Sequence, residues 1–528
     1  MAGYAARGVE SSPEVARGHV IVVGAGPTGL MAANLLGEAG VVTTVLERHA
    51  ATSDEAKAIS LDGESIRSLQ RAGLSDSLTD VFVPGTGTRY YGRNGTMLFA
   101  ARGPIPPIHG HAFKNPFAQP DLERALLDGT QRFAHVAVEF ETDVIGVRQS
   151  GETVIVTVVG VDGERSERRA DFLLAADGGR STVRRTLRIG MRGRSFTERW
   201  LVVDTVGDPH DERYGIHIGD PQRPTVIIPG RGGRCRYEFL LASDEPSDNP
   251  PSFWQVASLL RGHRDISPDE VERSIIYSFH ALIAERWVQG QIFLVGDAAH
   301  MMPPFAGQGL NSGLRDVANL TWKLSDALAD RAGLALLRTY EIERRPHAQA
   351  MIDLSVRLGT IVMTRSRWRA RVRDAVVGLV SRMPAGRRWL EEMRYAPRAH
   401  YDHGLVVGGH PLVGTLLPQP EVLVSDGRRV RLDDVLGRGY AILAVERGTT
   451  RAPPVPVDDP LWRRLDPVWI RTLLDERFPR DERVPAIADL DGALRRALTA
   501  CAGQYVLVRP DRFVAAVFEP SAVASTSG

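Results

Sequence analysis

The period of the apolar positions changes twice in the first fifty residues. His19 to Val23 is a short apolar run, Leu30 to Gly40 is rich in alanine and leucine, and Val41 to Leu46 is β-branched and apolar again. Between the first two lies Gly24-Ala25-Gly26-Pro27-Thr28-Gly29. Strand, tight turn, helix and strand in that order predict a βαβ unit with a parallel pair of strands.

Two later runs have the character of strands of the same sheet: Phe172 to Ala176 and Ile292 to Val295, each passing into a Gly/Asp turn. They are far apart in sequence, so the nucleotide-binding unit is predicted to be discontinuous. The stretches between contain β-branched runs such as Thr225 to Ile228 and the alternating Arg234-Cys235-Arg236-Tyr237-Glu238-Phe239, which favour a second sheet. Helical patterns dominate from about Asn311 to Met363, and beyond about His400 the chain is again rich in turns and strands. The expected class is α/β. A disordered tail covers 1–18, a discontinuous Rossmann-like unit with a helical extension covers 19–82, 110–190 and 285–399, an interleaved β-sheet domain covers 83–109 and 191–284, and a C-terminal domain covers 400–528.

Composition narrows the picture mainly by exclusion. The 528 residues are 43% apolar and 24% charged with a formal charge of +1, so no global field attracts nucleic acid or an anionic membrane. Neither a secretory signal nor a run of ~20 apolar residues is evident. Cys235 and Cys501 form no CxxC or metal-ligand spacing, so no metal is expected and a reduced, cytoplasmic compartment fits. Arginines at every second position from Arg365 to Arg373 look like a nucleic-acid patch, but a solvated or packing helical face is the better reading at this net charge.

Three motifs carry chemistry. Gly24-x-Gly26-x-x-Gly29, opening a helix and followed by Glu47 at the end of the second strand, is the pattern of a dinucleotide site. Its glycines permit a tight turn, close approach of a pyrophosphate and close helix packing, and the acid can accept ribose hydroxyl bonds. FAD and NAD are not distinguished by it. Second is Ala176-Asp177-Gly178-Gly179-Arg180-Ser181. Third is Gly296-Asp297-Ala298-Ala299-His300, continued by Pro303, Pro304, Gly307, Gln308, Gly309, Leu310 and Asn311. There a carboxylate at a strand end can meet a sugar-like chain, and a helix N-terminus opening near Asn311 would face the ligand.

In this order the motifs resemble the FAD-dependent aromatic hydroxylases of the 4-hydroxybenzoate hydroxylase superfamily. The resemblance covers about 18–400 and is closest to the 3-(3-hydroxyphenyl)propionate hydroxylases and polyketide-tailoring hydroxylases. Phe117-Ala118-Gln119-Pro120 and Tyr340-Glu341-x-Glu343-Arg344-Arg345-Pro346-His347 add to it. It implies non-covalent FAD, with Gly24, Gly26 and Gly29 at the pyrophosphate, Glu47 at the adenosine ribose, and Gln119 and Asp297 near the ribityl chain. Gly309, Leu310 and Asn311 would lie at the isoalloxazine and Pro304 at its reactive edge, while Asp177 belongs to a motif linked to both FAD and nicotinamide nucleotides. Lys57 stands where these families usually have arginine. The C-terminal part is similar to the thioredoxin-like appendage of larger phenol hydroxylases, and without a CxxC it is expected in a structural or oligomer-contact role that allows a homodimer.

The implied reaction is single-component hydroxylation of a phenolic or polyketide-like aromatic substrate by NADH or NADPH and O2, through a flavin C4a-hydroperoxide. Tyr237 and His217, on expected strands of the β-domain, are candidates for activating a phenol, each set against the alternative of an ordinary core residue. His300 is expected to position the third loop. Baeyer-Villiger-type oxygen insertion or epoxidation remains as an alternative on the same scaffold, and a non-catalytic binding protein as one from another class.

Overall fold

The computed structural model describes residues 16–54, 57–75, 77–85, 87–210, 214–448, 450, 460–475 and 485–519. Residues 1–15 of the expected tail lie outside these, while 16–18 belong to the first strand, β1 (Ala16–Val23). The tail expectation is therefore too long by those residues: Asp171 accepts the His19 backbone N–H, and β1 pairs β2 (Val41–Leu46) from Ala16 onward.

Six strands form the nucleotide-binding sheet in the order Val288–Gln289, Ile292–Leu294, Phe172–Ala175, β1, β2, Val136–Glu139. All neighbours are parallel except the first pair. Val20, Ile21 and Val22 are completely buried, which is why β1 has a continuous apolar run rather than an alternating one. Helix α1 (Pro27–Glu38) leaves β1 through the glycine turn and packs on this sheet, with proline in its first turn where a missing N–H costs nothing.

An eight-stranded sheet runs His300–Met301, Val271–Ala284, Met191–Thr205, Cys235–Leu240, Thr225–Pro229, Tyr214–Ile218, Gly87–Tyr91, Met97–Ala101. Strands from both expected β-rich segments thus share one sheet. Both of its faces are covered. Helix Phe253–Leu260 packs on the face of Leu201, Val203, Ile227, Tyr237 and Phe239, whereas Phe305, Ile59 and Met363 pack on the face of Trp200, Val226, Ile228 and Leu240.

Four helices follow: Gly309–Leu328, Ala335–Val362, Arg367–Arg382 and Pro384–Glu391. In the arginine run Arg373 is buried, donating to the carbonyls of Val362 and Gly219 at 2.6 and 2.7 Å, so it packs the helix against the eight-stranded sheet. The C-terminal seven-stranded sheet is mixed, with Ala486–Asp489, Val468–Leu473 and Ala441–Glu446 parallel at its centre and antiparallel strands outside, as a thioredoxin-like unit requires. It docks through buried polar contacts: Arg509 with Glu343 at 2.8 Å, Arg67 with Asp433 at 2.6 Å and the Tyr440 hydroxyl with Asp326 at 3.1 Å. No helix among the described residues is long and apolar enough to cross a membrane.

Candidate active site

The three glycines of the first loop meet three different constraints. Gly24 has φ +103°, and a Cβ there would lie 2.6 Å from the Ala176 carbonyl. At Gly29 it would lie 2.0 Å from the Gly24 carbonyl, so helix and loop can close only on glycine. Gly26 has an ordinary φ of −74°, and a Cβ would meet nothing within 4 Å. Open space over a helix N-terminus that lacks a side-chain cap suits a pyrophosphate. Glu47 stands beside it, its Oε2 accepting the Ala25 N–H at 2.8 Å and its Oε1 the His49 N–H at 3.0 Å. Each oxygen keeps a lone pair for a ribose hydroxyl.

Asp177 follows the central strand Phe172–Ala175 and lies against Gly24. Its Oδ2 accepts the Val183 N–H at 3.0 Å, while the buried Oδ1 has no partner among the described residues. Burial raises its pKa, against hydrogen bonds from Ser181 and Val183 that lower it. A buried carboxylate oxygen left unpaired is costly, and a ligand hydroxyl would satisfy it.

The third motif is held by the helix that follows it. His300 and Asp316 are fully buried and meet at 2.7 Å; Asp316 also accepts the Gly296 N–H at 3.1 Å and Arg344 at 3.0 Å. His300 is thus a positioning group, as expected. Asp297 points the other way: its side chain is exposed, yet the protein around it desolvates the carboxyl enough to raise its pKa, with His300 and Lys57 opposing. The Gln119 amide oxygen accepts the N–H groups of Lys57 and Ala58 at 3.1 and 2.7 Å, and its nitrogen donates to Glu123 at 2.7 Å, leaving one N–H for a ligand. Lys57 itself is exposed and near enough to Asp297 to influence it.

Beyond Asp297 the chain makes a short 3₁₀ turn, Pro304–Ala306, and Gly307 turns left-handed at φ +63° into the helix Gly309–Leu328. Phe305 anchors the turn edge-on against Trp200 and Phe279, with centroids 5.5 Å away in both cases, which sets Pro304 over the eight-stranded sheet. The helix start has no side-chain cap, so the backbone N–H groups of Gly309 and Leu310 are available. Asn311 differs: its side chain accepts from the Asp62 N–H and the Ser65 hydroxyl at 3.0 and 2.7 Å and donates to the carbonyls of Gly307 and Ser60. Any ligand contact from Asn311 is left to its backbone.

Of the two phenol-activating candidates, one lies on the wrong face of the sheet. Tyr237 is fully buried on the far face of the sheet, under helix Phe253–Leu260, where its hydroxyl donates to Asp208 at 3.0 Å; burial first, then Cys235 and Asp208, push its pKa up. It cannot reach the Pro304 loop. His217 lies on the near face, two strands from Glu238 through Val226, with its ring 4.9 Å from Tyr90. Burial and Lys114 lower its pKa to about 3, so its neutral ring is a weak proton acceptor.

The charged residues that do face the loop are Arg236 and Glu238, one step either side of Tyr237 on the strand Cys235–Leu240. Arg236 pairs with Asp204 at 2.6 and 2.8 Å and donates to the Lys57 carbonyl at 2.9 Å, joining the sheet to the cofactor side. Glu238 is 5% exposed and has no hydrogen-bond partner among the described residues. Burial raises its pKa, with Arg236 opposing, Asp204 reinforcing and Lys114 opposing. The Arg-x-Glu alternation was visible in the sequence, but nothing there indicated that its polar side is buried.

Residues 17–355 match the family described as FAD binding domain, and 414–528 match the HcaD C-terminal domain. Over 520 residues the chain is 36% identical to the 3-(3-hydroxy-phenyl)propionate/3-hydroxycinnamic acid hydroxylase of Burkholderia cenocepacia, covering 97% of this chain and 96% of that protein. The flavin-dependent monooxygenase PieE, solved in complex with FAD and substrate, shares the fold with a TM-score of 0.78 at 22% identity, over 97% of this chain and 98% of that one. Aklavinone-11 hydroxylase, solved with FAD and aklavinone, does so at 0.74 and 23%, over 96% of both chains. With a glycine loop open at Gly26, an unpaired Asp177 oxygen and an accessible Asp297 all following adjacent strands of one sheet, and similarity that runs the length of the chain, the protein belongs to the FAD-dependent aromatic hydroxylases.

Proposed function

We propose that the chain hydroxylates a phenol ortho or para to its existing hydroxyl, with NADH or NADPH and O2 as co-substrates, in the cytoplasm. The observation that carries this reading is Glu238, a desolvated carboxylate without a hydrogen-bond partner among the described residues, on the sheet face against which the Pro304 loop packs. When bound, FAD supplies what side chains do poorly, taking a hydride from the nicotinamide nucleotide and passing one oxygen atom of O2 to the ring while the other leaves as water.

The chain's own residues hold and orient. Gly24, Gly26 and Gly29 admit the pyrophosphate, Glu47 takes the adenosine ribose, and Gln119 and Asp297 take the ribityl chain. The backbone N–H groups of Gly309, Leu310 and Asn311 support negative charge at the isoalloxazine, and Pro304 shapes its reactive edge. Glu238 accepts the hydrogen bond of the phenol O–H, raising electron density at the ring carbons ortho and para to it. Lys114, whose charge is felt by both Glu238 and His217, faces the same space and suits an acidic side chain such as the propionate in the relative's name. Burial lowers its pKa to about 8, against the pull of Glu238.

Turnover in labelled O2 tests the reaction, with label expected in a new ring hydroxyl; label in a lactone or ester would establish oxygen insertion instead. The second test is Glu238→Gln. Because the acceptor is the carboxylate and its pKa is raised, kcat/KM of the parent should climb as pH rises through that pKa. The glutamine variant should lose this limb and ~100-fold in hydroxylation while keeping FAD. An unchanged pH profile would remove Glu238 from the mechanism.

A further inference from the structure

A second cluster of buried charge lies where α2 (Gly63–Arg71), which follows the short strand β3 (Ser60–Asp62), and the helix Gly309–Leu328 meet the C-terminal sheet. Its carboxylates are already engaged. Arg67 holds both oxygens of Asp433, at 2.8 and 2.6 Å. Arg315 bridges Asp62 and Glu64. Arg509 holds Asp511 and Glu343, and Lys323 also holds Glu343. The first and third groups are neutral and the second carries one negative charge. Arg71 and Arg512 then bring two further positive charges, Arg512 sharing Asp433 with Arg67, so the cluster has one cation in excess.

Arg512 is 2% exposed. Its Nη2 donates to the Gly437 carbonyl, its Nε pairs at 3.3 Å with Asp433, which it shares with Arg67, and its Nη1 has no partner among the described residues. Arg71, which is half-buried, makes no hydrogen bond among them, and desolvation together with Arg512 lowers its pKa to about 10. Both guanidinium groups line a cavity of about 20 Å³, shared with Glu64, Arg67, Arg315 and Asp511.

We propose that this cavity binds a single halide ion between Arg71 and Arg512. Water offers the unpartnered Nη1 of the buried Arg512 an acceptor but no charge, and in a cluster with excess positive charge an acceptor that carries a negative charge serves it better. A cavity must hold ~10–15 Å³ to take even one water, so inorganic phosphate or a carboxylic acid does not fit here. The ion joins the C-terminal loop that carries Asp511 and Arg512 to α2, and α2 is tied through Ser65 to Asn311 at the head of the flavin helix. Halide binding therefore strengthens the docking of the C-terminal sheet on the flavin-binding part.

The test uses the FAD-loaded full chain in chloride-free gluconate buffer, with chloride exchanged in at constant ionic strength to 100 mM. The unfolding midpoint should rise by roughly 2–4 °C. Inorganic phosphate should not reproduce the rise, and Arg71→Met should abolish it while keeping flavin absorbance and turnover. Crystals soaked in bromide should show one anomalous peak between Arg71 and Arg512. Equal midpoints in the two salts, an equal rise with phosphate, an Arg71→Met response like the parent's, or a cavity without a bromide peak would each overturn the proposal.

Discussion

At Gly26 a side chain would meet nothing within 4 Å, whereas the inner face of the eight-stranded sheet is crowded with buried charged and polar side chains. The loop works by omission, using missing Cβ atoms and backbone N–H groups to make room and donors. The sheet face works by insertion. Arg236, Asp204, Glu238 and His217 are all nine-tenths buried or more, and only pairing or an incoming ligand makes that burial tolerable. In the proposed function the loop admits the cofactor and the sheet face selects among substrates.

Glycine substitutions probe the first half of the contrast most severely. In Gly29→Ala the new Cβ would lie 2.0 Å from backbone that cannot yield cheaply, so both folding and FAD retention should suffer, with ~1–3 kcal/mol lost on unfolding. Denaturant titration of the apoprotein and flavin release would measure the two losses separately. Gly26→Ala should separate them by itself: its φ of −74° suits alanine and its surroundings are empty, so stability should hold within ~1 kcal/mol while FAD affinity falls. Equal damage to apoprotein stability in the two variants would dissolve the distinction between a packing glycine and a ligand glycine.

Smaller effects are expected where a side chain contributes one bond. Asp297→Ala should weaken FAD binding ~10–100-fold, the range of one charge-assisted hydrogen bond, as read by fluorescence titration. Unchanged affinity would place the ribityl chain elsewhere. Smallest of all, Cys235→Ala with Cys501→Ala should leave coupled hydroxylation intact in the folded protein. Both thiols are buried, and burial raises their pKa values, that of Cys501 to about 11. A large loss of product per NAD(P)H consumed would reopen a thiol role.

The same contrast decides what the sequence could disclose. Gly24, Gly26, Gly29 and Glu47 act within one βαβ unit, where local spacing and chemistry coincide, and the third motif follows one strand end without a break. Tyr237 was misread because alternation tells which residues share a face of a strand but not which face meets the cofactor. Arg236 and Glu238 have the pattern of a solvent-facing edge, yet both faces of this sheet are covered. Their side was fixed by partners remote in sequence, such as the Lys57 carbonyl and Phe305. Asn311 shows the converse: its position at the helix start was legible, but its side chain is spent on Asp62 and Ser65.

The ionic seam between the two ends of the chain limits how the molecule can be divided. A shortened version ending near residue 400 would keep Arg67, Lys323 and Glu343 but discard Asp433, Arg509 and Asp511, stranding side chains that are now almost completely buried. Breaking one such pair typically costs ~3–5 kcal/mol, comparable to the whole stability margin of many domains. Although the C-terminal sheet has its own hydrophobic core, it is not a detachable module, and loss of the segment by nicking or recombination would forfeit the flavin-binding part as well.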